Sequence, residues 1–271
     1  MTSTSANGFD KGSLIYLLHS LVRYAVFLLV VLVIVGTFHR LNLPLHRLPD
    51  GMREVADLIT RRMFPPDWSY APQQLFGPFI ETFAMAFVGT VFGIILSVPL
   101  AWLASANMTP SNIVLYPLSR LFLVVTRSVH EIIWAMLFVA VFGFGPFAGT
   151  IVLVLNFIGF AGKLLAENVE AADMRPVEAI RAAGGGRMKQ MILGVYPQVR
   201  PVWMGIFIYG WDIVLRASFV LGIVGAGGVG VQLIDSIESL NYNRVGMILI
   251  IIVSIVTLSE LLSIHVRKRT I

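Results

Sequence analysis

Apolar runs long enough to cross a bilayer alternate with polar stretches along the whole chain. A bilayer core takes about 20 apolar residues of helix. Sliding along the 271 residues predicts six such helices, over roughly 14–38, 79–104, 113–143, 146–165, 199–222 and 244–265. The third is longer than one span needs and is expected to bend or break near Arg127. The first follows a polar start, MTSTSANGFDKGS. No small-residue cleavage site follows its apolar run, so it reads as an anchor rather than a signal peptide.

Two polar stretches carry helical patterns of their own. GMREVADLITRRMF sets Val55, Leu58, Ile59 and Met63 at helical spacing, which predicts a short amphipathic helix, either on a membrane surface or as a plain connector against the protein. FPPDWSYAP ends it with prolines and two aromatics of interfacial type. The second stretch is an island, Ala166 to Pro201, AENVEAADMRPVEAIRAAGGGRMKQMILGVYPQVRP. Pro176 suits a first helical turn, Glu178 sits near the positive end of the helix dipole, and glycines 184 to 186 end the helix. The island therefore reads as a short helix, a glycine break, a second helix, then Pro197 at the start of the next span. Small residues Ala179, Ala182 and Ala183 permit close approach, so the short helix suits docking into a groove on another protein. An ordinary amphipathic connector fits the same pattern. The expected organisation is an anchor over 1–45, an amphipathic segment over 46–78, and a helical core over 79–271 carrying the island at 166–200.

Composition agrees with the pattern, because 57% hydrophobic and 13% charged residues exceed what a water-soluble domain carries. The absence of cysteine excludes disulfides, thiolate metal sites and cysteine nucleophiles. A net charge of +5 would fit nucleic acid in a soluble protein. In a membrane protein Lys and Arg gather in loops and at helix ends, so the charge reads as topology and no nucleic-acid partner is expected. Arg175, Arg181, Arg187, Lys189 and Arg200 place the island in the cytoplasm by the positive-inside bias. The N-terminus is then inside, as is the C-terminal HVRKRTI with His265, Arg267, Lys268 and Arg269. The amphipathic segment and the glycine-rich turns, Gly143 to Gly149 and Gly225 to Gly230, are outside. Arg40, Arg47, Arg53, Arg61 and Arg62 run against this assignment for the 39–78 segment.

Two motifs are false matches. Gly225, Gly227 and Gly230 have the GxGxxG spacing, but the run before them is a membrane helix and the positions near Ile250 are apolar, where a dinucleotide fold needs a strand and an acid. Around Lys163, Phe157 and Leu164 stand where a phosphate-binding loop requires Gly and Ser or Thr. The chain itself has no ATP site, and no carboxylate pair, metal cluster or nucleophile–base arrangement argues for an enzyme. No catalytic residue and no metal ligand is assigned.

EAIRAAGGGRMKQMILGVYP resembles the EAA loop of ABC importer permeases: Glu178, Ala179, Gly184 and Pro197 match in register, and Ile180, Gly194 and Tyr196 depart. Over most of Met52 to Ile271 the chain is similar to the phosphonate-importer permease branch, through FPPDWS, RSVHEIIWAMLFVAVFGFGPFAG, GKLLAENVEA, GVYPQVRP and VLGIVGAGGVGVQL in order. Where that branch has Glu-x-Asn-Val-Arg in the fifth helix, this chain has Asp212, Ile213, Val214, Leu215 and Arg216. The resemblance implies an all-α integral membrane fold of the MetI-like type I importer class, in a bacterial cytoplasmic (inner) membrane. It implies a second copy of this chain, an ATPase dimer that binds ATP and Mg, and an extracytoplasmic binding protein delivering phosphonate or a related oxyanion. This chain would bind no cofactor. Glu178, Ala179, Ala182, Gly184, Arg187 and Pro197 would couple the ATPase to the membrane helices.

Charges inside spans cost about 2.5–3.5 kcal/mol on insertion scales and are functional candidates by default. Asp212 and Arg216 stand four apart on one helix face, either as an internal ion pair or with Arg216 on the pathway, where a planar guanidinium suits an oxyanion. Arg127, Ser128, His130 and Glu131 mark the expected break, where backbone N–H groups can also meet an anion. The competing reading pairs Arg127 with Glu131. Lys163 either snorkels from an inner helix end or takes part in function. Gly225, Gly227 and Gly228 either pack helices closely or form an anion nest at a pathway mouth. The alternative class is a secondary transporter or channel for a small anion, which predicts an internal repeat that this chain lacks.

Overall fold

A computed structural model describes residues 11–41, 47–70 and 74–270, and every regular element among them is helical. The polar start at 1–10 and parts of the predicted connecting stretches, 42–46 and 71–73, lie outside the described residues. The chain forms two compact units, Met1–Asp57 and Leu58–Ile271.

The first unit holds α1 (Lys11–Arg40) and α2 (Leu48–Asp57). At 1.5 Å per residue, the 30 residues of α1 reach about 45 Å, enough to cross a bilayer core of about 30 Å. Its apolar side chains, Leu28 and Leu32 among them, are exposed along the helix. In α2, Leu48, Met52 and Val55 recur at helical spacing and are also exposed; of the stripe expected from the pattern only Val55 lies in this helix, Leu58 and Ile59 falling in the π-helical turn that follows and Met63 just beyond it.

The second unit opens with a wide π-helical turn (Leu58–Arg62) and continues through α3 (Phe76–Leu103), α4 (Leu115–Ser128), α5 (Glu131–Phe142) and α6 (Pro146–Glu170). The island follows as α7 (Arg175–Ala182) and α8 (Arg187–Lys189). A π-helical stretch, Gln190–Val195, feeds α8 into α9 (Tyr196–Leu221). Then come α10 (Val229–Glu238) and α11 (Tyr242–Thr270). Among the described residues, five helices are long and apolar enough to cross a membrane, and six if the bent pair α4–α5 counts as one. That matches the six predicted spans. The bend of 94° falls at Val129–His130, where Val129 is extended and the His130 Nδ1 accepts from the Ile132 N–H at 3.3 Å as the cap of α5.

α6 is the central pillar, packed against α3, α4, α5 and α9. Small residues make that approach possible, as at membrane helix contacts. Phe157, 1% exposed, is clamped between α3 and α9. A Cβ on Gly93 would fall 2.6 Å from its ring and one on Gly210 2.5 Å from it. Gly162 seats Leu123 of α4 in the same way.

The division at Leu58 falls inside the segment expected to run from 46 to 78, because the later half of that segment is stitched to the start of α11. The Asn243 side-chain amide donates to the Pro65 carbonyl at 2.8 Å, and Arg244 lies 3.7 Å from Asp67 and 4.6 Å from the centre of the Tyr70 ring. Tyr70 also donates to Gln232 of α10 at 2.9 Å. α10 itself was not anticipated; ten residues with four polar side chains fall below any spanning pattern.

Candidate functional site

The island is built to hold a short helix away from the bundle. Only Val177 of α7 is buried; Glu178, Ala179 and Ala182 are exposed. Val177 seats on Gly194, whose absent Cβ would fall 2.9 Å from the valine methyl. The helix ends in a Schellman turn: Gly184 has φ +79, its N–H donates to the Arg181 carbonyl at 3.0 Å, and the Gly185 N–H donates to the Ile180 carbonyl at 2.9 Å. Asp173 caps the start, accepting from the Arg175 backbone N–H at 3.0 Å and from its guanidinium at 2.9 Å. That side-chain hydrogen bond holds the Asp173 carboxyl below the usual carboxylate range and raises Arg175.

Gln198, a residue the sequence pattern did not single out, ties this helix to α9. Its amide oxygen accepts from the Asp173 N–H at 3.0 Å while its amide N–H₂ donates to the Asp173 carbonyl at 3.0 Å and the Gly194 carbonyl at 2.6 Å. Arg187 donates to the Thr109 carbonyl in the loop between α3 and α4. The same loop is pinned to α6, where Glu170 accepts from the Ala106 N–H at 2.9 Å and lies 2.6 Å from Arg120. Arg120 also donates to the Ala104 carbonyl at 2.7 Å, and Asn107 to the Val169 carbonyl at 2.9 Å. Pro197 lies in the first turn of α9, where no N–H is needed.

Of the two readings of Asp212 and Arg216, the internal ion pair does not form. Asp212 is buried, and its carboxylate accepts from Ser259 at 3.0 Å and Ser263 at 2.9 Å, both on α11; Trp211 donates to Ser259 at 3.0 Å. Arg216 is exposed and, among the described residues, donates only to the Asp212 backbone carbonyl, at 3.2 Å. The two serines, one turn apart on a neighbouring helix, satisfy the acid first, which spacing along α9 alone does not reveal. Val214, where the resemblance implies an amide, is packed into the core against Gly89 of α3.

The expected Arg127–Glu131 pair is also absent, since the 94° break sets the two residues on different helices. Glu131, half-buried, instead accepts from the Asn156 amide of α6 at 2.5 Å. Ser128 donates to the Val124 carbonyl at 2.7 Å, and Arg127 lies across Gly159, whose Cβ position is 3.2 Å from its Cγ. Arg127 lines two cavities. One, ≈ 310 Å³, includes His130, Glu131 and Asn156. The other, ≈ 240 Å³, includes Arg120, Ser128 and Lys163.

The glycine corner is tightly occupied. Gly225, Gly227 and Gly228 have φ of +83, +89 and +73, and Gly145 donates to the Gly225 carbonyl at 3.0 Å. Thr82 of α3 accepts from the Val229 N–H at 2.9 Å. The cavity beside these glycines also contains Glu81, a carboxylate that repels an anion, so the geometry favours close packing over an anion nest. Among the described residues no cluster of His, Asp and Glu is able to hold a metal ion.

Comparison with known proteins bears on the family and the fold. Residues 89–271 match the family described as "binding-protein-dependent transport system inner membrane component". The chain is 42% identical over 213 residues to a phosphate-import permease protein of Mycolicibacterium smegmatis, a match covering 79% of this chain but only 40% of that relative. It is 39% identical over 219 residues to a phosphite transport system permease protein of Stutzerimonas stutzeri, covering 81% of this chain and 78% of the relative. Among solved structures, a chain of the inward-facing MetNI methionine ABC transporter superposes with a TM-score of 0.62 at 21% identity, over 70% of this chain and 93% of that one. At that identity the likeness establishes the fold.

Proposed function

Since the chain belongs to the family of binding-protein-dependent transport system inner membrane components, we propose that it is the membrane subunit of an ATP-driven importer for a tetrahedral phosphorus oxyanion: phosphonate, phosphite or phosphate. The observation that carries this reading is the family match over residues 89–271, joined by relatives named for phosphate and phosphite transport at about 40% identity. The secondary-transporter and channel alternative has no comparable support.

In this reading two copies of the chain enclose the pathway, an ATPase dimer grips the island from the cytoplasm, and an external binding protein delivers the substrate. ATP and Mg belong to the ATPase. Glu178, Ala179 and Ala182 form the docking face, Gly184 and Arg187 hold its geometry, and Pro197 starts the span that receives the motion. The island and the C-terminal end of α11 face the cytoplasm, and the 63–70 segment faces outward. Arg127 and Arg216 are the cations we assign to the pathway, with Ser128 at the break. Asp212, Glu131 and the corner glycines Gly225, Gly227 and Gly228 shape its walls. Rigid-body movement of helices gives alternating access.

The test is ATPase activity of the purified complex with its binding protein loaded in turn with phosphonate, phosphite, phosphate and sulfate. Stimulation by one or more phosphorus oxyanions and not by sulfate is expected. Equal stimulation by sulfate, or none by any, would overturn the reading.

A further inference from the structure

The cavity of ≈ 240 Å³ between α4 and α6 is lined by Arg120, Leu123, Val124, Arg127, Ser128 and Lys163. No carboxylate lines it. Two nearby acids reach its cations from outside: Glu170 pairs with Arg120 at 2.6 Å, and Glu167 lies 3.6 Å from Lys163, the Lys163 and Glu167 side chains being about half exposed. Three cations against two acids leave one positive charge in excess. At this cavity it belongs to Arg127, which has no ion pair and donates no hydrogen bond among the described residues, Glu131 lining only the neighbouring cavity that Arg127 also faces. An unneutralised guanidinium in an apolar span is costly unless something supplies the counter-charge.

The geometry points to a binding site for a phosphate-type oxyanion in this cavity, with Arg127 as the principal ligand and Lys163 as the second cation. The inference rests on the importer reading above and deepens it. Gly159 lets the Arg127 stem lie across α6 one turn before Lys163, which brings a planar fork and an ammonium to one cleft. A guanidinium gives a tetrahedral oxyanion two parallel hydrogen bonds, and an ammonium adds a compact charge. Because Arg127 also lines the cavity of His130, Glu131 and Asn156 on the other side of the break, its side chain stands in the wall between the two. An anion passing the acidic cavity is repelled by Glu131 and drawn to the basic one. The site lies toward the end of α6 that leads into the island, so it is a release station on the cytoplasmic side. The oxyanion itself has two sources, a free transported ion or the phosphate of an anionic lipid headgroup, unscreened by a choline cation.

The chain has no cysteine, so a single Val124→Cys reports on this cavity alone, with Met136→Cys on α5 as control. The complex is reconstituted in permeable phosphatidylcholine vesicles and labelled with a water-soluble thiol reagent at rising inorganic phosphate. Phosphate is expected to slow labelling at residue 124 and not at 136. Adding Arg127→Gln should raise the half-protecting concentration by about tenfold or more, the loss of one charge-assisted contact, and Lys163→Gln by less. Protection that requires no added phosphate and appears only with phosphatidylglycerol assigns the site to lipid headgroups. No protection from either source, or protection unchanged by Arg127→Gln, overturns the site. Ser128→Cys serves as a second reporter if Val124→Cys does not assemble. ATPase stimulation by the loaded binding protein, measured on the same preparation, separates the outcomes: stimulation without protection removes only this site, and loss of stimulation removes the importer reading.

Discussion

Gly184 carries the sharpest backbone demand in the island. At φ +79 a side chain costs about 1–2 kcal/mol, and the two hydrogen bonds of the Schellman turn depend on that conformation. Gly184→Leu is expected to abolish uptake while membrane insertion, read by immunoblot of the membrane fraction, survives; Gly184→Asn should keep much of the activity because Asn tolerates the left-handed region. Glu178→Ala should also abolish uptake, by removing an exposed charge rather than by unfolding the turn. Wild-type uptake in both would sink the docking role. Asp212 makes a different demand. Losing Ser259 and Ser263 together strips its carboxylate of both donors, and about 1–3 kcal/mol of destabilisation follows for an unsatisfied buried group. The melting temperature of the Ser259→Ala, Ser263→Ala double variant should fall well below that of either single variant. Asp173 sets a pH limit: its lowered pKa means its cap is intact above the ordinary carboxylate value and is lost only as pH falls through the lower one. Uptake should therefore owe it no pH dependence between about 5 and 8.

At the scale of elements, the question is how an exposed two-turn helix moves a buried one. α7 touches the bundle through Val177 and Ile180 on Gly194, and the Gln198 amide binds both backbone groups of Asp173, which leads into α7. Gln198 itself belongs to α9, the helix that carries Asp212 and Arg216. A push on α7 thus reaches α9 through polar contacts that do not slip. Gln198→Leu keeps the apolar volume and loses the three hydrogen bonds, so the complex should assemble and hydrolyse ATP while uptake per ATP falls several-fold. Unchanged uptake per ATP would show that the Val177 contact suffices. The α3–α6–α9 packing is governed by volume. Gly210→Val drives a side chain into the Phe157 ring, and overpacking of this kind costs about 1–3 kcal/mol, visible as a lower melting temperature of the solubilised chain.

At the scale of the whole molecule, cations lie in residues 39–78 and at the start of α11 as well as in the island, so a count of Lys and Arg conflicts with itself. The structure shows what occupies some of these cations outside the island: Arg62 lies over the Tyr242 ring at 6.0 Å, and Arg244 bridges Asp67 and Tyr70. Such cations fasten the 58–70 segment to α11 and give no vote on orientation. With cysteines introduced singly, Ser69→Cys should react with an impermeant reagent in intact cells and Lys268→Cys only after permeabilisation. Labelling of both from one side would overturn the proposed orientation.

The pattern of apolar runs determined the helical class, the number of spans and the break in the third, because the cost of burying backbone and charge in lipid acts on each segment by itself. It also marked the island, whose Pro176, Glu178 and glycines 184 to 186 are local signals. Partnerships across helices were beyond it. Residues 212 and 216, or 127 and 131, stand four apart in any helix, yet one acid is taken by serines 47 and 51 residues away and the other by an asparagine 25 residues away. Spacing predicts who is near along one helix, whereas a buried carboxylate goes to whichever donors the packing of neighbouring helices brings within reach. The cation left over on Arg127, and the cavity it faces, exist only because that packing chose other partners.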